Sequence, residues 1–93
     1  QYIDTYKIIK KAEAEIDLHL HEILPENFKF DKNKALSLQI SLFEYAVERA
    51  QKGRIRSLNI IHGFGEGVLR NEIRIRLKDM GLEFMDSAYG TYG

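Results

Sequence analysis

Apolar and polar residues alternate from position 14 to 24, with Ile16, Leu18 and Leu20 on one side and Asp17, His19 and His21 on the other. A period of two predicts a strand over 14–24 with one buried face and one face carrying titratable groups. Pro25 ends it, having no N–H to give to a ladder. Residues 25–34 hold polar turn formers, with Phe28 and Phe30 as anchors and Asp31 or Asn33 placed to cap a helix. That helix spans about 34–52, where Leu36, Ile40, Phe43, Val47 and Ala50 recur at alternating steps of four and three, and Gly53 stops it.

A nearly continuous apolar stretch, "IRSLNII" (55–61), predicts a second strand in the sheet interior. The turn "HGFGEG" follows, then a helix over about 68–80 that buries Leu69, Ile73, Leu77 and Met80 and is closed by Gly81. "LEFMDSAY" (82–89) predicts a third strand, and "GTYG" a hairpin turn whose returning strand is missing after Gly93. Residues 1–13 read as an arm with some extended pairing, and 14–93 as the domain. The order strand, helix, strand, helix, strand predicts an α/β fold: a two-layer sandwich, βαβαβ, with a mixed, mostly parallel sheet. A first residue of Gln1 suggests a domain excised from a longer protein.

At 93 residues with 44% hydrophobic and 30% charged, the chain is long enough for one core and too apolar for disorder. It has no Cys, which rules out disulfides, thiolate chemistry and cysteine-ligated zinc, and suits a reducing, cytoplasmic setting. No apolar run approaches a membrane span, and the opening residues are not expected to act as a signal peptide. Net charge is zero but unevenly spread. Residues 1–48 carry six Lys/Arg against nine Asp/Glu, 49–80 carry eight against three, and 81–93 carry none against two. The positive segment is the one holding the glycine turn, which points to a polyanion partner.

Three glycines, Gly63, Gly65 and Gly67, alternate between a strand's carboxyl end and a helix's amino end. Backbone N–H groups there face outward, the helix dipole favours an anion, and glycine lets the chain approach it closely. The spacing matches neither a Walker A loop nor a dinucleotide fingerprint, so a ligand-free tight turn stands as the alternative. His62 ends the strand before this turn, at the edge where α/β sheets collect ligands. With parallel strands, Asp17 and His19 reach the same edge, and a carboxylate, two imidazoles and an anion seat form a set suited to phosphodiester cleavage. Asp17, His19, His21 and His62 also present N/O ligands of the type a divalent metal takes; polar alternation on an exposed strand face produces the same pattern. Arg70 and Arg74 lie four apart at the start of the second helix, where a phosphate backbone would find them.

The residues "IDLH" (16–19) and "IIHGFGEGVLR" (60–70), separated by a helix, resemble the Smr domain, the small MutS-related family. That family carries a Leu-Asp-x-His motif and a His-Gly-x-Gly-x-Gly loop in this order. The resemblance implies a sandwich similar to the C-terminal domain of translation initiation factor three. It implies binding to DNA or RNA, with nicking or RNA endonuclease activity or, alternatively, non-catalytic tethering of a larger protein to nucleic acid or ribosome. By motif, Asp17, His19 and His62 are the expected catalytic residues, and Gly63, Gly65, Gly67, Arg70 and Arg74 the expected phosphate contacts; no cofactor is assigned. The chain departs from the family at Leu20, where glycine is usual, and in the longer segment 21–34. A third reading is a protein-interaction domain using the sheet edge after Tyr89.

Overall fold

The structure is a computed structural model, and it describes residues 2–25, 29, 31–63 and 67–85. Among the described residues three strands, β1 (Lys7–Lys10), β2 (Glu13–Asp17) and β3 (Ser57–Ile61), and three helices, α1 (Leu20–Ile23), α2 (Lys32–Lys52) and α3 (Val68–Asp79), run in the order ββααβα. The strands form one mixed sheet in the order β1-β2-β3. β1 and β2 are antiparallel; β2 and β3 are parallel, with Asp17 opposite Ile61. The chain is therefore α/β, with helix α2 as the crossover between the two parallel strands.

Several expected elements are redrawn. The strand expected over 14–24 is only Glu13–Asp17. Its own side chain stops it: Asp17 Oδ1 accepts the His19 N–H at 2.9 Å, a local turn that competes with the ladder. Residues 20–23 then wind into α1, so His21 sits on a helix and not on a strand face. The arm contributes β1, and the buried Tyr6 just before it joins the core. Residues 82–85 form no strand and 86–93 lie outside the described residues, so the βαβαβ order is replaced by ββααβα among the described residues.

α2 is capped by Asp31, not Asn33: its carboxylate takes the Lys34 N–H at 2.8 Å. Asp31→Ala is expected to cost about 1 kcal/mol, read as a lower thermal midpoint with unchanged structure. Gly53 follows the helix with φ −86°, and Arg54, with φ 57°, takes the left-handed position expected of the glycine.

The core lies between one face of the sheet and the helices. Ala14, Ile16 and Leu18 meet Phe43, Ala46, Val47, Ile60, Ile73 and Leu77 there. The stripe on α2 is centred on Ala35, Leu42, Phe43, Ala46, Val47 and Ala50, while Leu36 and Ile40 are only half-buried. On α3, Ile73 and Leu77 are buried as their spacing predicts, Leu69 is partly so, and Met80 is exposed. The other sheet face carries Glu13, Glu15 and Asp17, which leaves the carboxylate of Asp17 partly open at the strand's carboxyl end. Phe28 and Phe30 lie outside the described residues. No described helix is long and apolar enough to cross a membrane.

Candidate nucleic-acid site

The parallel pairing of β2 with β3 brings their carboxyl ends together. Leu18 N–H donates to the Ile61 carbonyl at 2.8 Å, so the turn after β2 and the turn after β3 start side by side. Asp17 and His19 stand on the first turn, His62 and Gly63 on the second. Gln39 of α2 donates through Nε2 to the Leu18 carbonyl at 2.8 Å and ties the first turn to the helical layer.

Asp17 and His19 form a hydrogen-bonded dyad. His19 Nδ1 lies 2.8 Å from Asp17 Oδ1, the same oxygen that accepts the His19 N–H. The carboxylate binds the protonated ring nitrogen, so in a neutral ring Nδ1 carries the hydrogen and Nε2 keeps the lone pair. Nε2 faces Gly63: a Cβ built on that glycine would lie 2.6 Å from it and 2.8 Å from Cδ2. Gly63 also has φ +81°, a left-handed backbone that favours glycine. The glycine is thus required twice, by its own conformation and by the imidazole pressed against it. Both groups of the dyad keep solvent access, at 25% and 33% side-chain exposure, so an incoming ligand can reach them.

His62 is placed differently. Its Nδ1 is 2.9 Å from the Gly63 carbonyl, which can only accept, so Nδ1 donates. Its Nε2 is buried and meets no hydrogen-bond partner among the described residues. His62 thus holds the Gly63 carbonyl through Nδ1, while a third of the His19 side chain is exposed. His21 lies on α1 with its ring 5.2 Å from that of His19, exposed and 4.0 Å from Glu22. Among the described residues no three His, Asp or Glu side chains gather closely enough to hold a metal ion, so the Asp17, His19, His21 and His62 ligand set read from the sequence does not assemble.

The glycine turn leads into α3 through Gly67, at φ 86°, with no side chain capping the helix. Gly65 lies outside the described residues. Arg70 is exposed on the first turn of α3. Arg74, one turn on, is half-buried, with its guanidinium 5.9 Å from the centre of the Phe84 ring.

A model of the Smr domain family matches residues 38–88, more than half of the chain. The chain belongs to the Smr domain family. The matched stretch runs from within α2 through β3 and the glycine turn to beyond α3, so the Smr loop is included in it. Asp17 and His19 precede it, and they are linked to the Smr loop here by the contact of His19 with Gly63. No curated protein and no solved structure matches the chain.

Sequence reasoning missed two contributors. Thr5 lies on the far side of β2 from β3, and its hydroxyl bonds the backbone of Asp17. Gln39 looks like an ordinary helix residue in the sequence; only the fold brings its amide to the Leu18 carbonyl.

Proposed function

We propose that this Smr domain binds nucleic acid through its phosphate backbone and cuts it at the Asp17–His19 dyad. Membership of the family supports nucleic-acid interaction. The observation that carries the catalytic part is the aim of His19: Nδ1 is held by a carboxylate and Nε2 faces the glycine turn. In the reading we favour, the turn from Gly63 to Gly67, the first N–H groups of α3 and Arg70 seat a phosphate, with Arg74 behind them. His19 Nε2 then stands beside that phosphate as a general base.

RNA suits this set best, because the ribose supplies its own nucleophile. The imidazole takes the proton of the 2′-hydroxyl, the 2′-oxygen attacks phosphorus, and the bond from phosphorus to the 5′-oxygen breaks. The leaving oxygen takes a proton from water. Asp17 stabilises the imidazolium that forms, and the backbone N–H groups stabilise charge on the phosphoryl oxygens. His62 serves as a positioning residue through the Gly63 carbonyl.

We also propose that the domain adopts a sandwich similar to that of the initiation-factor-three domain, with a further strand beyond residue 85 joining the edge of β3. Leu82 and Phe84 pack on the core while Glu83 and Met85 are exposed, the alternation of a strand.

Binding is tested by the salt dependence of affinity for a short single-stranded RNA. Each phosphate contact contributes about 0.7 to the slope of log K against log salt on single strands. Arg70→Gln is expected to flatten the slope by about that amount. An unchanged slope would remove Arg70 from the interface. A wild-type protein with no salt-dependent affinity would contradict the nucleic-acid reading as a whole.

A further inference from the structure

We propose that Thr5 is a positioning residue for the Asp17–His19 dyad, which makes the chain's first residues part of the site. Its catalytic consequence rests on the function proposed above; its structural content does not.

The register of β1 on β2 pairs Lys7 with Glu15 and Ile8 with Ala14. Continued two residues backward, this antiparallel register sets Thr5 opposite Asp17. No backbone bond to Asp17 is made there. The Thr5 hydroxyl makes both: Oγ1 accepts the Asp17 N–H at 3.1 Å and donates to the Asp17 carbonyl at 2.5 Å. One atom thus replaces a donor and an acceptor of the missing ladder, which a hydroxyl can do and an alkyl group cannot. With the Leu18 N–H on Ile61 and the Leu18 carbonyl on Gln39, the backbone is tied before, at and after the point where β2 turns.

Thr5 is itself held on both sides. Asp4 Oδ1 accepts the Tyr6 N–H at 2.9 Å, so the chain turns around Thr5. Asp4 Oδ2 is 3.1 Å from Arg49 Nη1 and 3.2 Å from the Tyr45 hydroxyl, both on α2. Tyr6 is buried beneath the Arg49 guanidinium, 4.4 Å from its ring centre, and Ile3 N–H donates to the Ile23 carbonyl at 2.7 Å. A hydroxyl on so fixed a support fixes the backbone of Asp17 in turn. The carboxylate leaves that backbone towards His19, and its grip on Nδ1 leaves the lone pair on Nε2. Loss of the hydroxyl frees the Asp17 peptide, loosens the carboxylate's aim, and lets the His19 ring exchange tautomers.

Thr5→Val and Thr5→Ser separate this role from packing. Nitrogen-15 NMR of His19 in the whole chain reports which ring nitrogen carries the hydrogen, whether or not the protein cleaves anything. The wild type and Thr5→Ser are expected to hold the hydrogen on Nδ1, and Thr5→Val to show a mixture. On RNA, Thr5→Val is expected to lower kcat about 10- to 100-fold at unchanged KM, and Thr5→Ser to restore it. Thr5→Ala removes the hydroxyl without adding a methyl group to place, and gives the same reading should the valine variant unfold. A hydroxyl-free variant that is folded and keeps the wild-type tautomer overturns the proposal, as does a serine variant that behaves like valine. A wild type that cuts no RNA would count against the function reading alone, and the tautomer would still decide the role of Thr5.

Discussion

His19→Ala is expected to reduce nucleic-acid cleavage by about 10²- to 10⁴-fold, the usual contribution of a positioned general base. The fold should survive, because a third of this side chain is exposed and the neighbouring core is carried by Leu18, which is fully buried. Binding should survive as well, since the proposed phosphate contacts are backbone N–H groups and Arg70. Asp17 is a less clean target. Its carboxylate both holds His19 Nδ1 and accepts the His19 N–H that turns the chain out of β2. Asp17→Ala therefore loses activity and about 1 kcal/mol of stability together. Asp17→Asn keeps an acceptor oxygen at the turn but removes the charge that stabilises the imidazolium, so its loss should be smaller than that of His19→Ala. Equal cleavage by wild type and His19→Ala, both folded, would take the imidazole out of the chemistry.

Gly63→Ala is expected to abolish cleavage by a different route, and Gly67→Ala is its internal control. Both glycines have left-handed backbones, at φ +81° and +86°. An alanine at either position costs about 1–2 kcal/mol for that conformation. Of the two, only at Gly63 does the new methyl also collide, at 2.6 Å from His19 Nε2; at Gly67 no described atom lies within 4 Å. The imidazole is held by Asp17 at its far nitrogen and cannot swing away without breaking that bond. Both variants are expected to lose thermal stability, Gly63→Ala the more because of the collision, and a displaced His19 with lost activity is expected in Gly63→Ala alone. Matching activities would mean that His19 and the glycine turn do not act as one site.

The contact between His19 and Gly63 was legible in the sequence as two motifs that parallel strands would bring to one edge, and the pairing of Asp17 with Ile61 does so. The long helix was legible because its stripe is long and regular, and its cap at Asp31 was one of two named options. The first strand was misjudged in length because alternation continues past Asp17, whereas a side-chain hydrogen bond at Asp17 ends the strand regardless of pattern. The arm's extended pairing was anticipated, but not its register. "KIIK" has no alternation to read, and β1 forms as an edge strand with all four residues exposed. The different hydrogen-bond partners of His19 and His62 were invisible, since both histidines follow strands closely. What distinguishes them is a carboxylate two residues before one ring and a carbonyl one residue after the other. The Thr5 hydroxyl could be found only once the register of that edge strand was known.

The most direct test of the central claim is a time course of the wild-type domain on end-labelled single-stranded RNA, with supercoiled plasmid in parallel, each with and without added divalent metal. The account predicts that the RNA is cut, at a rate that an Asp17→Ala, His19→Ala double variant loses while it still binds. Salt-dependent binding with no cleavage of either substrate by the wild type would contradict it, and would leave this Smr domain as a module that tethers without cutting.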